Sequence, residues 1–467
     1  MGFFDKFDPK EIRQRLGLNQ NEFWTKIGVT QSGGSRYESG REMPKPVREL
    51  LRLVHVEQID LEKVRREDFE VLEYLKASQP DLYKKLRLLF RQVEPRPGLR
   101  PVSLGIGEPQ HATPEFIKTT LTANLGGLAK YPATVGEPLL REAIARWLMR
   151  RYALADVDAA TEVLPVNGSR EALFALTQTV VDATRPNPTV VCPNPFYQIY
   201  EGAAILAGAR AVFAHALPER NFACDLAALP PEVWRDTQLL FVCSPGNPTG
   251  AVMNIKDWRI AFDLADRHGF VIASDECYSE IYFEENAPPL GSLAAARALG
   301  RGFERLVMFS SLSKRSSVPG MRSGFVAGDR AIIANFLLYR TYHGSAMSLA
   351  VQAASTAAWD DETHVIDNRR LYREKFEAVL PILTPVLNVK MPDAGFYLWA
   401  QVPGGDDARF TRDLYAAEAV TVLPGSYMAR DDGARNPGRG YVRLALVAPV
   451  AECVEAAGRI ARYCGGT

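Results

Sequence analysis

Three apolar runs in this chain end in residues able to do chemistry. TQLLFVC leads into SPGNPTG with Asn247, FVIAS into DECYSEI with Asp275 and Tyr278, and RLVMF into SSLSKRSSVPGMRSG with Ser311, Lys314 and Arg322. A lysine amine can bond an aldehyde carbon, and a carboxylate ending an apolar strand needs a compensating donor. An arginine with nearby hydroxyls can hold a phosphate. In LPVNGSREALFAL a strand, turn and helix would aim the amides of Ser169 and Arg170 at an anion. Each residue also has a plain reading. Lys314 could be a surface lysine, Asp275 a helix N-cap, Asn247 a turn residue, and Tyr278 and Tyr197 (in PNPFYQIY) core aromatics. Together they meet the needs of pyridoxal phosphate: a lysine, an acid at the ring nitrogen, donors to O3′, a phosphate cradle and an aromatic face.

The elements that must position these residues alternate. PTVVCP, RAVFAHAL, TQLLFVCSP, FVIASDE, RLVMFSS and RSGFVAGD read as short buried strands, and SREALFALTQTVVDA, FYQIYEGAAILAG and IKDWRIAFDLADRHG as helices. Such alternation predicts a mainly parallel sheet covered on both faces, with ligands at the carboxyl ends of its strands. Formal net charge is zero, so nothing global draws the chain to nucleic acid or anionic membrane. The six cysteines form no CxxC pair and the six histidines show no metal-ligand spacing, which predicts reduced thiols and no metal centre. MGFFDKFDPKEIRQR lacks a secretory apolar core and no run approaches the ~18 apolar residues of a membrane span, which predicts a cytoplasmic protein.

Taken in order, LGIGEPQHATP, KYPATVGEPLLREAIA, NGSREAL, NPFYQIY, SPGNPTG, SDECY, SSLSKRSSVPGMRSGF, DAGFYLW and YVRLAL resemble the class I/II aminotransferases of fold type I. The resemblance covers residues 99 to about 460. It implies an α/β fold over 99–467, with a large domain at about 126–344 and a smaller α/β domain from 99–125 plus 345–467. It further implies that Lys314 bonds the cofactor and shuttles a proton, that Asp275 pairs with the pyridine nitrogen, and that Asn247 and Tyr278 hold O3′. Ser169, Arg170, Ser311 and Arg322 would hold the phosphate and Tyr197 would stack on the ring. Tyr131, in KYPATVG, would reach the neighbouring subunit's phosphate, which implies a homodimer with shared sites. Arg443 would fork onto the substrate α-carboxylate, with Gly107 and Asn247 lining the same pocket. The longer runs are similar to the N-succinyldiaminopimelate aminotransferases, implying amino transfer to 2-oxoglutarate in lysine and diaminopimelate biosynthesis. Arg170 is then a candidate for a distal carboxylate. Aspartate- and acetylornithine-type donors are the alternatives.

Members of that family begin near residue 75, so this chain carries an extra piece. Within 1–66, QNEFWTKIG, GVT and QSGGSRYESG resemble a Cro/C1-type helix-turn-helix, with Gln31, Ser32 and Arg36 facing a DNA major groove. Gly33 and Gly34 stand where the second helix should be firm, at ~1 kcal/mol each relative to alanine. A small helical bundle for packing or protein contact is the other reading. Residues 67–98 read as a helix and a Pro-rich join, EPRPGLRP, forming a linker and arm. Two function classes follow: a biosynthetic enzyme with an appended module, or a transcription regulator sensing pyridoxal phosphate through an aminotransferase-like domain. The complete set of site residues favours turnover.

Overall fold

The computed structural model describes residues 8–56, 82–431, 433 and 435–465. The chain divides into two compact units, Met1–Gln79 and Pro80–Thr467. Residues 1–7 and 57–66 of the expected 1–66 module, and 67–81 of the expected 67–98 linker, lie outside the described residues. The described part of that linker contains one helix, Leu82–Leu89.

In the second unit a short strand β1 (Val102–Ser103) precedes seven strands of one sheet: β2 (Val163–Val166), β3 (Thr189–Asn194), β4 (Arg210–His215), β5 (Thr237–Cys243), β6 (Val271–Asp275), β7 (Leu306–Ser311) and β8 (Gly324–Gly328). Their order is β2-β8-β7-β6-β5-β3-β4. All neighbours are parallel except β8, which runs against both β7 and β2. Each apolar run read as a strand is one. Alternation sends successive side chains to opposite faces. Leu240 and Val242 join a core with Val163, Ile272 and Met308, while Leu239 and Phe241 join another with Val166, Ala273 and Phe309. Uninterrupted apolar runs are what a sheet covered on both faces requires.

Smaller sheets stand beside it. β9 (Tyr397–Gln401), β11 (Leu423–Pro424) and β12 (Tyr441–Ala445) are antiparallel in the order β11-β12-β9, and β1 pairs in parallel with β10 (Val420–Thr421). Their core includes Leu104, Leu398, Val420, Leu444, Phe376 and Ile460, the last two from the helices Thr363–Leu383 and Val450–Gly465. The helices Glu115–Ala123 and Leu349–Asp360, which the sequence reading groups with the smaller domain, pack instead on the large sheet through Ile117, Ala354, Ala358 and Trp359. Among the described residues no helix is long and apolar enough to cross a membrane.

The first unit has four helices among its described residues: α1 (Pro9–Arg15), α2 (Gln20–Thr25), α3 (Gln31–Glu38) and α4 (Lys45–Leu51), the last continuing into a π-helical turn, Arg52–Val56. Helices this short are marginal alone, so side-chain caps and a shared core must fix them. Asp8, Asn19 and Thr30 cap the first three, and Phe23, Trp24, Ile12, Ile27 and Leu51 form the core. The Gly-Gly pair has a packing reason: a Cβ on Gly34 would fall inside the Trp24 ring. Glu38 ties three helices together. Its carboxylate accepts from Arg13 Nε at 2.8 Å, Gln20 Nε2 at 2.9 Å and Trp24 Nε1 at 2.9 Å. Burial pushes this carboxyl up, but the hydrogen bonds from Arg13, Gln20 and Trp24 outweigh it and hold it at about 2.

Two expectations follow for the first unit, read by hydrogen exchange of peptides from 8–56 in the full chain. Gly34→Ala overpacks α3 on Trp24 and destabilises the unit by about 1–3 kcal/mol. The folded-state pKa of Glu38 lies below the ordinary 4.5, so its contribution is complete above that value and is lost as pH falls toward about 2. The stability gap between wild type and Glu38→Gln therefore shrinks as the pH drops below about 4.5; a gap independent of pH would contradict this.

Candidate active site

Strand register explains how distant residues meet. β7 ends at Ser311 opposite Gly324, the start of antiparallel β8, and Gly324 also faces Val166, the end of β2. Lys314 just after β7, Arg322 just before β8 and the Gly168-Ser169 turn after β2 therefore emerge at one edge. Asp275 ends β6, level with Phe309 of β7 and Cys243 of β5. These strand ends open on a cavity of about 820 Å³. Its walls include Gly107, Ser169, Arg170, Tyr197, Asn247, Asp275, Tyr278, Lys314, Arg322 and Arg443. Two predicted residues are not in its wall. Ser311 turns its hydroxyl to the Ser313 amide, 3.2 Å away, capping the Leu312–Arg315 turn. Tyr131 is fully exposed.

Charge in this cavity is conspicuously unbalanced. Among the described residues the Lys314 ammonium has no hydrogen-bond or ion-pair partner; Nζ lies 5.9 Å from the Tyr278 ring centre. Burial pushes its ammonium below the ordinary lysine range; Cys277 and Asp275 pull it back, while Arg322 and Arg170 push it further down. Buried Asp275 has no ion pair either. It accepts from Tyr200 Oη at 2.8 Å and from the Cys277 amide at 3.3 Å. Burial raises the Tyr200 phenol far above its usual range, so it stays a donor.

Beside Arg322 the Ser169–Val180 helix begins without a side-chain cap, so its first amides lack intrahelical acceptors. A Cβ on Gly168, where φ is +85°, would collide with the Arg322 guanidinium. Arg322 Nη1 donates to Pro319 O at 2.8 Å, and the guanidinium has no ion pair among the described residues; bare helix amides beside it make an anion cradle. Arg170 lies over Tyr197, 5.6 Å from its ring centre, and donates from Nε to its hydroxyl.

At the other end of the cavity Arg443 of β12 is buried and forms no ion pair among the described residues. Nη1 donates to Asn247 Oδ1 at 2.9 Å and Nη2 to Gly105 O at 2.8 Å, while Nε has no partner. The guanidinium stacks on Tyr397, 4.3 Å from the ring centre, and the Tyr397 hydroxyl meets Tyr278 Oη at 3.0 Å. A Cβ on Gly107 would strike that Tyr397 hydroxyl, so only glycine fits. Tyr200 and Tyr397 are the residues the sequence reading passed over. Tyr200 stands three positions after Tyr197 in NPFYQIY and Tyr397 is in DAGFYLW, so both lie within motifs that carry the family resemblance.

This donor set fits pyridoxal phosphate: a half-buried amine for the aldehyde, a buried carboxylate for the ring nitrogen and an anion cradle for the phosphate. One guanidinium is then left for a second anion.

Comparison with known proteins agrees. Residues 100–460 match the family described as aminotransferase class I and II, and residues 10–54 match the RsaL-like HTH domain. An LL-diaminopimelate aminotransferase of Desulforudis audaxviator is 32% identical over 396 residues, 83% of this chain and 96% of the relative. The crystal structure of an aminotransferase from Neisseria meningitidis is 55% identical, with a TM-score of 0.82 over 84% of this chain and 99% of that one. A structure from Thermus thermophilus, described as a probable N-succinyldiaminopimelate aminotransferase, is 29% identical, with a TM-score of 0.73 over 82% and 100%. The chain belongs to the class I and II aminotransferases, pyridoxal-phosphate-dependent enzymes of fold type I, and carries a helix-turn-helix domain ahead of the catalytic unit.

Proposed function

We propose that this enzyme moves an amino group from a diaminopimelate-type donor to 2-oxoglutarate, with Lys314 as its base. The observation that carries the reading is the convergence of Lys314, Asp275 and Arg443 on one cavity, each without an ion-pair partner among the described residues. Pyridoxal phosphate, when bound, supplies the aldehyde that takes up the amino group and the ring that accepts electrons from Cα. Asp275, steadied by Tyr200, holds a proton at the ring nitrogen. Asn247 has its carbonyl oxygen committed to Arg443, so its amide nitrogen is the end left for O3′, beside Tyr278. The helix amides of Ser169 and Arg170 hold the phosphate with the Arg322 guanidinium and the O–H that Ser311 keeps free to donate, which leaves the Arg170 side chain available to the substrate. Tyr197 stacks on the ring. Arg443 forks onto the substrate α-carboxylate beside Gly107. Lys314 Nζ takes the proton from Cα, and its lowered pKa leaves more free amine for that step at neutral pH.

The donor's distal end is read from two exposed side chains in the wall, Arg170 and Glu108, neither in an ion pair among the described residues. Arg170 suits the carboxylate of an N-succinylated donor, our first reading. Glu108 suits the free distal ammonium of LL-diaminopimelate, the second. The second is favoured by the relatives named for that substrate. Segment 125–139 exposes Leu128, Tyr131 and Leu139, a surface that a second copy would cover while placing Tyr131 at its neighbour's phosphate. We read the chain accordingly as a cytoplasmic homodimer, with the smaller domain built around β9–β12. In the first unit Gln31, Ser32 and Arg36 share the exposed side of α3, and we assign that side to DNA.

Transamination of both donors with 2-oxoglutarate tests the enzyme reading. Lys314→Ala abolishes turnover, and Arg443→Lys raises donor KM about 10–100-fold by losing a bidentate charge-assisted contact worth ~1.5–3 kcal/mol. Arg170→Gln weakens the succinylated donor alone if the first reading holds; Glu108→Gln weakens free diaminopimelate alone if the second does. Selection from random duplexes on the full chain tests the DNA reading. It should enrich one sequence whose binding weakens with salt and with Arg36→Ala, and no enrichment leaves α3 a packing element.

A further inference from the structure

Asn368, on the Thr363–Leu383 helix, is buried and lies outside the cavity wall, yet it holds the residue that does the chemistry. Its Nδ2 donates to the backbone carbonyls of Lys314 at 3.0 Å and Arg315 at 3.2 Å. These belong to the four-residue Leu312–Arg315 turn, too short to satisfy its own last carbonyls or to hold itself in place. Because both acceptors are carbonyls, only the amide nitrogen can face them, and that fixes the other end of the side chain. Asn368 Oδ1 then points at His111, whose Nδ1 is 2.7 Å away and must carry the proton between them.

His111 is itself held. Its carbonyl accepts from Ser317 Oγ at 2.9 Å, and its ring packs on Tyr372 with centres 4.4 Å apart. It also closes the segment that begins at Gly105, whose carbonyl binds Arg443, and passes through Gly107, which abuts Tyr397. A continuous path of hydrogen bonds and backbone thus runs from the Lys314 carbonyl through Asn368 and His111 to the wall beside Arg443.

We propose that Asn368 is a positioning residue for Lys314 and that His111 ties it to the Arg443 wall, keeping the amine in register with the substrate carboxylate. The inference rests on Lys314 being the base, whose reach is set by the turn Asn368 holds. Misplacing a reacting group by about 1 Å can cost on the order of 100-fold in rate.

The test uses full-length holoenzyme carrying Asn368→Ala, His111→Leu or His111→Gln, whose side-chain amide can still donate to Asn368. Four quantities are read: kcat, donor KM, cofactor content, and the pH titration of the absorbance band that Lys314→Ala abolishes. Asn368→Ala should lower kcat about 10–100-fold with donor KM within about 3-fold. It should also move the absorbance midpoint while the cofactor stays bound. His111→Leu should share the defect in part, and His111→Gln should recover it. Wild-type kcat and absorbance midpoint in Asn368→Ala would overturn the proposal. So would a loss of kcat that merely follows lost cofactor or a lowered melting temperature, or His111→Gln no better than His111→Leu. A wild-type enzyme with no Lys314-dependent band would sink the reading of Lys314 itself, a distinguishable failure.

Discussion

Everything around the cavity serves one electrostatic constraint: a half-buried amine and a buried carboxylate must stay unpaired with each other yet remain in the fold. An uncompensated buried charge costs several kcal/mol, so the surroundings have to offset part of it and forbid collapse. Asp275 is steadied by the Tyr200 hydroxyl and a backbone amide rather than by a cation. Lys314 is held through its backbone, so its side chain owes nothing to a counter-ion. The seven-stranded sheet supplies the frame: β6 carries Asp275 at its end, and neighbouring β7 ends three residues before Lys314.

Arg443 follows the same logic with different means. Its guanidinium is buried against an aromatic face and two neutral oxygens, with Nε still without a partner. The unmet donor capacity is directional, because the bonds to Asn247 and Gly105 prevent the fork from turning. The first unit makes the opposite choice. There the buried charge is fully met, with Glu38 receiving bonds from three residues on α1 and α2. A bundle of very short helices gains its definition from that hub, whereas the cavity of the second unit leaves Lys314, Asp275 and Arg443 open for ligands.

Much of this was legible in the sequence because the site residues follow their strands at once. An apolar run announces the strand, and the next few residues announce what its end presents, so Asn247, Asp275, Tyr278 and Lys314 could be found without knowing the sheet order. Less legible was anything set by register or by side-chain direction. The antiparallel course of β8 cannot be inferred from GFVAG, which is as apolar as a parallel strand. Ser311 accepts the Ser313 amide in a local cap and keeps its O–H to donate, a division that residue type alone does not announce. Tyr200 and Asn368 act across 75 and 54 positions of chain, and no local pattern distinguishes them from core residues. The Gly33-Gly34 pair looked like a flaw in a helix until Trp24 was seen to lie against it.

The reversal at β8 has one more effect. Because the chain turns back directly after β7, Lys314 and Arg322 belong to a single short connection between two paired strands. On the proposed assignment, the lysine that takes the cofactor and one arginine on its phosphate are therefore carried by the same stretch of backbone. Any excursion that lifts this connection loosens both at once, so they cannot act as independent latches. Under that assignment a change in this one connection touches catalytic identity and cofactor retention together.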